Sequence, residues 1–183
     1  RRVFSLRTQI GALPALLRLG LHAEAKAVLD FTWDAIRAAG RMSDELPLSI
    51  DVRTANASTM AAEFWRSVPM PPAELPSYVL LAHYWYWRAT RDLSPIDEHW
   101  LLIDACLKRP VRGEDSMMPF SGSEPWSPPQ LLAAAREQLG DDPRLFGEAQ
   151  AHDRASWSFA SAVLFMLSVQ AYGELSDARD ERA

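Results

Sequence analysis

PSYVLLAHYWYWRA, residues Pro76 to Ala89, has the length of a helix, yet no polar face can be drawn along it at helical spacing. A helix that is apolar nearly all round must be surrounded by other protein. The stretch therefore predicts an enclosed helix, and Ala155 to Tyr172 repeats the pattern, with serines, Trp157 and Gln170 marking it as a core helix rather than a membrane span. Other segments are amphipathic. Over Ala23 to Ala39, Lys26, Asp30, Asp34 and Arg37 form a polar stripe, while Ala25, Val28, Leu29, Thr32 and Ile36 face the other way, and Gly40 stands at the expected stop. Ser94-Pro95-Ile96-Asp97 opens a second amphipathic helix, with serine as the cap and proline in the first helical position, running to about Lys108. Ser127-Pro128-Pro129-Gln130 opens a third, ending near Gly140. No convincing strand pair is read, so the expectation is all-α, with enclosed and amphipathic helices alternating.

A weak internal repeat supports the alternation. LGLHAEAKAVL, RDLSPIDEHWLL and YGELSDARDERA align on Leu21, Leu93 and Leu175. Each reads as a short turn from an enclosed helix to an amphipathic one. The repeat is too long and uneven for tetratricopeptide or HEAT units. Long irregular stretches, Arg41 to Pro72 and Pro110 to Arg154, lead from each outer helix to the next inner one. Loops of that length are uncommon unless functional, and all should emerge at one end of the helical layer.

Composition narrows the classes. The 183 residues are 48% hydrophobic and 23% charged with a net charge of −5, as in a folded protein without a nucleic-acid-binding surface. The single cysteine, Cys106, lies in an apolar helical run and reads as a buried thiol. The four histidines show no metal-ligand spacing, and there is no phosphate loop or nucleophile elbow, so no cofactor or metal is expected. Arginine far outnumbers lysine, present only as Lys26 and Lys108, which suggests a GC-rich bacterial source. No stretch reads as a membrane span, so no membrane contact is expected, and the expected setting is the bacterial cytoplasm.

In order, LRTQIGALPALLRLGLHAEAKAVLDF (Leu6–Phe31), ELPSYVLLAHYWYWRATRDL (Glu74–Leu93), and MPFSGSEPW (Met118–Trp126) followed by SWSFASAVLFM (Ser156–Met166) resemble the six-hairpin α/α-toroid glycoside hydrolases, the glucoamylase-like superfamily. The resemblance implies about three of six hairpins, hence a single partial domain over residues 1–183, truncated at both ends, that needs the remainder of the toroid and takes an oligosaccharide or glycoside substrate. It also implies roles for two residues by position. Arg7 matches the family's sugar-binding arginine, and Glu124 the general acid that protonates the leaving oxygen. Thr8 stands where the family has aspartate, and Ser123 and Pro125 replace the residues flanking the acid. Hydrolysis of this kind uses two carboxylates, and Met117, Met118, Phe120 and Trp126 are the residues expected to give Glu124 the apolar surroundings that raise an acid's pKa. The alternative for Glu124 is a solvated loop acid, and for Arg7 a surface ion-pair partner. Trp126, Trp157 and Trp65 are candidate sugar platforms, with an ordinary packing role as the alternative, whereas Trp85 reads as core. Asp51, in the first long loop, is a further candidate cleft residue, against the alternative of a solvated loop acid. From a different class, the runner-up reading is a helical scaffold or a non-catalytic sugar-binding module.

Overall fold

The computed structural model describes residues 3–43, 45–47, 64–66, 74–110 and 159–182. Six helices carry the described core: α1 (Leu6–Arg18), α2 (His22–Ala39), α3 (Glu74–Thr90), α4 (Ser94–Glu98), α5 (Trp100–Lys108) and α6 (Phe159–Asp180). The fold is all-α, apart from one short antiparallel ladder that the sequence did not disclose. It pairs β1 (Val3–Ser5) with β2 (Glu45–Pro47) in the register Val3 to Pro47 and Ser5 to Glu45. Three residues per strand are too few for an alternating pattern to show.

Helix α1 starts at Ser5, whose hydroxyl accepts the Thr8 N–H at 3.1 Å. It ends in a Schellman turn: Leu21 N–H reaches Leu16 O, Gly20 N–H reaches Leu17 O, and Gly20 takes φ +74°. The chain reverses into α2, whose buried face is Ala25, Leu29, Thr32, Ala35 and Ile36, as the polar stripe requires. Gly40, left-handed at φ 65°, closes it.

Helix α3 lies at the centre, packed against α1, α2, α5 and α6. Leu75, Val79, Leu80, Leu81, Ala82, His83 and Tyr86 are all buried, which bears out its reading as enclosed. It stops at Arg91, a non-glycine residue at φ 58°. The side chain of Asp92, rather than that of Ser94, caps the start of α4. Asp92 accepts the Ser94 N–H and the Ser94 hydroxyl, each at 2.9 Å. The helix read as continuous from Ser94 to Lys108 breaks at His99 (φ −100°, ψ 12°) into α4 and α5. Cys106 is buried, and burial pushes its thiol well above the usual range.

Helix α6 packs on α3 and α5 through Ser161, Ser168, Ala171 and Leu175, a stripe of mostly small residues. Its reading as enclosed all round needs correction, because Val163, Met166, Leu167 and Val169 are exposed. The turn expected at Leu175 is also absent. The chain continues helical through Gly173, and fully buried Leu175 belongs to the core. Thus α1, α3 and α6 lie in that order, with α2 against α1 and α3, and α5 against α3 and α6.

Candidate functional site

Hairpin geometry brings the starts of α1 and α3 and the ends of α2 and α5 to one end of the molecule. Arg7, in the first turn of α1, meets Glu74, in the first turn of α3, with Nε to Oε1 at 3.0 Å. Glu74 is buried, and nothing in the sequence singled it out; its signal is only that a charged residue opens an otherwise apolar helix. The Thr8 hydroxyl donates to Ser5 Oγ at 3.1 Å as part of the helix cap. The helical turn 64–66 closes over the same end. Arg109, at the end of α5, donates to the Trp65 carbonyl at 2.7 Å.

Trp65 is 3% exposed, against Trp33 with ring centroids 4.5 Å apart and edge-on to Phe64 at 4.7 Å. Neither ring face is presented to solvent, so in this arrangement Trp65 is a core aromatic. Trp85 is partly buried against the core. Glu124, Trp126, Trp157 and Asp51 lie outside the described residues, as does the helix start at Ser127. Arg7 is therefore the only sequence candidate that the described residues place at the loop end with polar chemistry around it.

A second polar constellation lies on the outer side, in a groove between α2 and the α4–α5 break. An open pocket of about 270 Å³ is lined by Asp30, Trp33, Asp34, Arg37, Glu98 and His99. The polar stripe of α2 thus forms one wall, with Lys26 bound to both Asp30 oxygens (2.8 and 3.0 Å) and Arg37 to Asp34 at 3.0 Å. His99 is 1% exposed and stacks on Trp33 at a 5.0 Å centroid distance and 12° between planes. Behind it His83, fully buried in α3, approaches His99 Nδ1 with its Nε2 at 3.0 Å, and its own Nδ1 is 2.8 Å from Val79 O.

Burial pushes the His83 imidazole down to about 4. Burial, with help from the neighbouring His83 and Lys26, pushes His99 down to about 3. Both rings are therefore neutral near neutrality. Sequence reading missed this cluster because its members lie at residues 26–37, 83 and 98–99, with no short-range spacing to betray it.

Comparison with known proteins gave no match, whether to family models, curated proteins or solved structures. No helix among the described residues is long and apolar enough to cross a membrane.

Proposed function

We propose that this chain is part of a glycoside hydrolase of the six-hairpin toroid kind, acting on O-glycosidic bonds by general acid/base catalysis. The supporting observation is the packing order. Helices α1, α3 and α6 lie side by side while α2 and α5 back them, the alternation of inner and outer helices that such a toroid needs. The starts of two inner helices meet at Arg7 and Glu74, 3.0 Å apart, where the long interhelical segments leave the bundle.

In this proposal Glu124 donates its proton to the glycosidic oxygen as the bond to the sugar breaks. Arg7, held in place by Glu74, donates hydrogen bonds to hydroxyls of the sugar being cleaved. A second carboxylate, from another hairpin of the toroid, activates water on the opposite face of the ring. One observation favours a second reading, a sugar-binding module without hydrolysis. Thr8, at the position where the family has its sugar-binding aspartate, is committed to the Ser5 cap.

The deciding variant is Glu124→Gln in the complete protein, which keeps the shape and removes the proton. Turnover of a natural glycoside should fall about 10²–10⁴-fold, with a smaller loss on substrates whose leaving groups need no protonation. Unchanged turnover would make Glu124 an ordinary loop acid. Saturable sugar binding with no hydrolysis in the wild type would establish the second reading.

A further inference from the structure

The protonation of the two buried histidines is dictated by their neighbours. The Val79 carbonyl can only accept, so His83 Nδ1 carries a proton and donates it across 2.8 Å. In the neutral ring His83 Nε2 is then a bare lone pair, and it accepts the Nδ1–H of His99 at 3.0 Å. That leaves His99 Nε2 unprotonated. It has no hydrogen-bond partner among the described residues, and it faces Asp30 Oδ1 at 3.5 Å. Asp30 Oδ1 already accepts the Lys26 ammonium at 3.0 Å, so His99 Nε2 is the lone pair left without a positive partner. A metal cation satisfies both atoms.

We propose that His99, Asp30 and Glu98 form a binding site for a divalent transition-metal ion of the zinc class, in the groove between α2 and α4. Their ligand atoms all lie within 4.8 Å of one another. Metal–ligand bonds of about 2.0–2.2 Å place neighbouring tetrahedral ligands about 3.4 Å apart. The Asp30–His99 pair already stands at 3.5 Å. Glu98, with a side chain 62% exposed, can close the remaining distance by a rotamer change. One imidazole and two carboxylates suit zinc better than calcium or magnesium, which prefer all-oxygen sites.

Support behind the ligand is also in place. A metal-binding histidine ordinarily donates its other ring N–H to an acceptor that fixes tautomer and orientation. His83 takes that part for His99, and the Trp33 stack fixes the ring plane. Three protein ligands leave a fourth position facing the open pocket, where water can bind. Lys26 is the internal competitor. Its ammonium lies 2.8 Å from Asp30 and 3.9 Å from Glu98, supplying positive charge to the same carboxylates, and its side chain, a third exposed, can swing out when a metal enters.

The site is tested on the full 183-residue chain, stripped with chelator and titrated with Zn²⁺ by calorimetry, with Co²⁺ absorption as a second readout of tetrahedral coordination. One saturable Zn²⁺ site per chain is expected, and Asp30→Asn and Glu98→Gln should each weaken it at least about tenfold. Lys26→Met should tighten it, an effect opposite in sign to the loss expected if Lys26 helped to bind the ion. His99→Gln removes a buried ring, so its loss of binding counts only if circular dichroism shows an intact fold; the two carboxylate variants do not share that problem. The proposal is overturned if the wild type shows no saturable Zn²⁺ binding, if both carboxylate variants bind as tightly as the wild type, or if Lys26→Met weakens binding. None of these readouts depends on Glu124 or on hydrolysis, so the site stands or falls apart from the glycosidase reading.

Discussion

Helices α3 and α6 look alike in the sequence, both apolar on nearly every side, yet the structure uses them differently. Helix α3 is packed by α1, α2, α5 and α6, and its large side chains point into those contacts. Helix α6 meets α3 and α5 through Ser161, Ser168 and Ala171, with Ser168 Oγ donating to Leu164 O at 2.9 Å, while Met166 and Leu167 face outward. Small residues let two helix backbones approach closely; large ones fill a gap between helices. All-round apolarity thus says that a helix expects neighbours, but the sizes of its residues show on which side each neighbour lies.

The difference is broken most directly by truncating one large side chain on each helix. Leu80, fully buried in α3, has no room to relax, so Leu80→Ala should cost about 3–5 kcal/mol. Met166, 71% exposed on α6, should change stability by less than about 0.5 kcal/mol when replaced by alanine. Urea unfolding of both variants decides it. Equal losses would mean that the outer face of α6 is covered after all.

Acid sharpens the same contrast, because the polar groups buried with α3 titrate and the serines of α6 do not. His83 and His99 are held at about 4 and about 3, below the ordinary imidazole value of about 6.5. The unfolded chain therefore takes up protons before the folded one does. The stability these neutral rings contribute is complete above pH ~6.5 and declines as pH falls towards their folded values. For the metal-free protein the loss between about pH 7 and 5.5 should be on the order of 2 kcal/mol. Denaturant midpoints measured across that interval would show it, and a flat profile would mean that at least one ring is already charged in the folded state.

What could be read in advance divides along the same line. The stripe of α2 with its Gly40 stop, and the enclosure of α3, rest on periodicity within one segment, and periodicity survives folding. The break at His99 was not, because it depends on partners from α2 and α3, Trp33 stacked on one side and His83 bonded on the other. Nor was the cap by Asp92, whose carboxylate also accepts the Tyr86 hydroxyl at 3.1 Å. At the loop end Arg7 was found and its partner Glu74 was not. The pocket lined by Asp30, Glu98 and His99 was invisible, since a tertiary cluster leaves no spacing in the chain.

The last prediction concerns how helices end, and it is one of sign. Leu21, Leu93 and Leu175 align in the sequence, but only the first two come after a left-handed residue, Gly20 at φ +74° and Arg91 at φ 58°. Gly173, the counterpart before Leu175, lies inside α6. Tyr84 and Arg88 of α3 hold the neighbouring Glu174 at 2.8 and 3.1 Å, and Tyr172 bonds Asp104 of α5 at 2.7 Å, so the helix is tied down on both sides of the glycine. A Cβ added at Gly20 or at Gly173 would meet nothing within 4 Å, which leaves backbone conformation to decide the outcome. Gly173→Ala should stabilise the protein by about 0.4–1 kcal/mol, because alanine loses less freedom than glycine on entering a helix. Gly20→Ala should destabilise it by about 1–2 kcal/mol, the cost of forcing a Cβ into a left-handed turn. Thermal melts of the two variants side by side are enough. A destabilised Gly173→Ala would mean that the third copy is a turn, as its alignment with the other two suggests, and that α6 ends before Leu175.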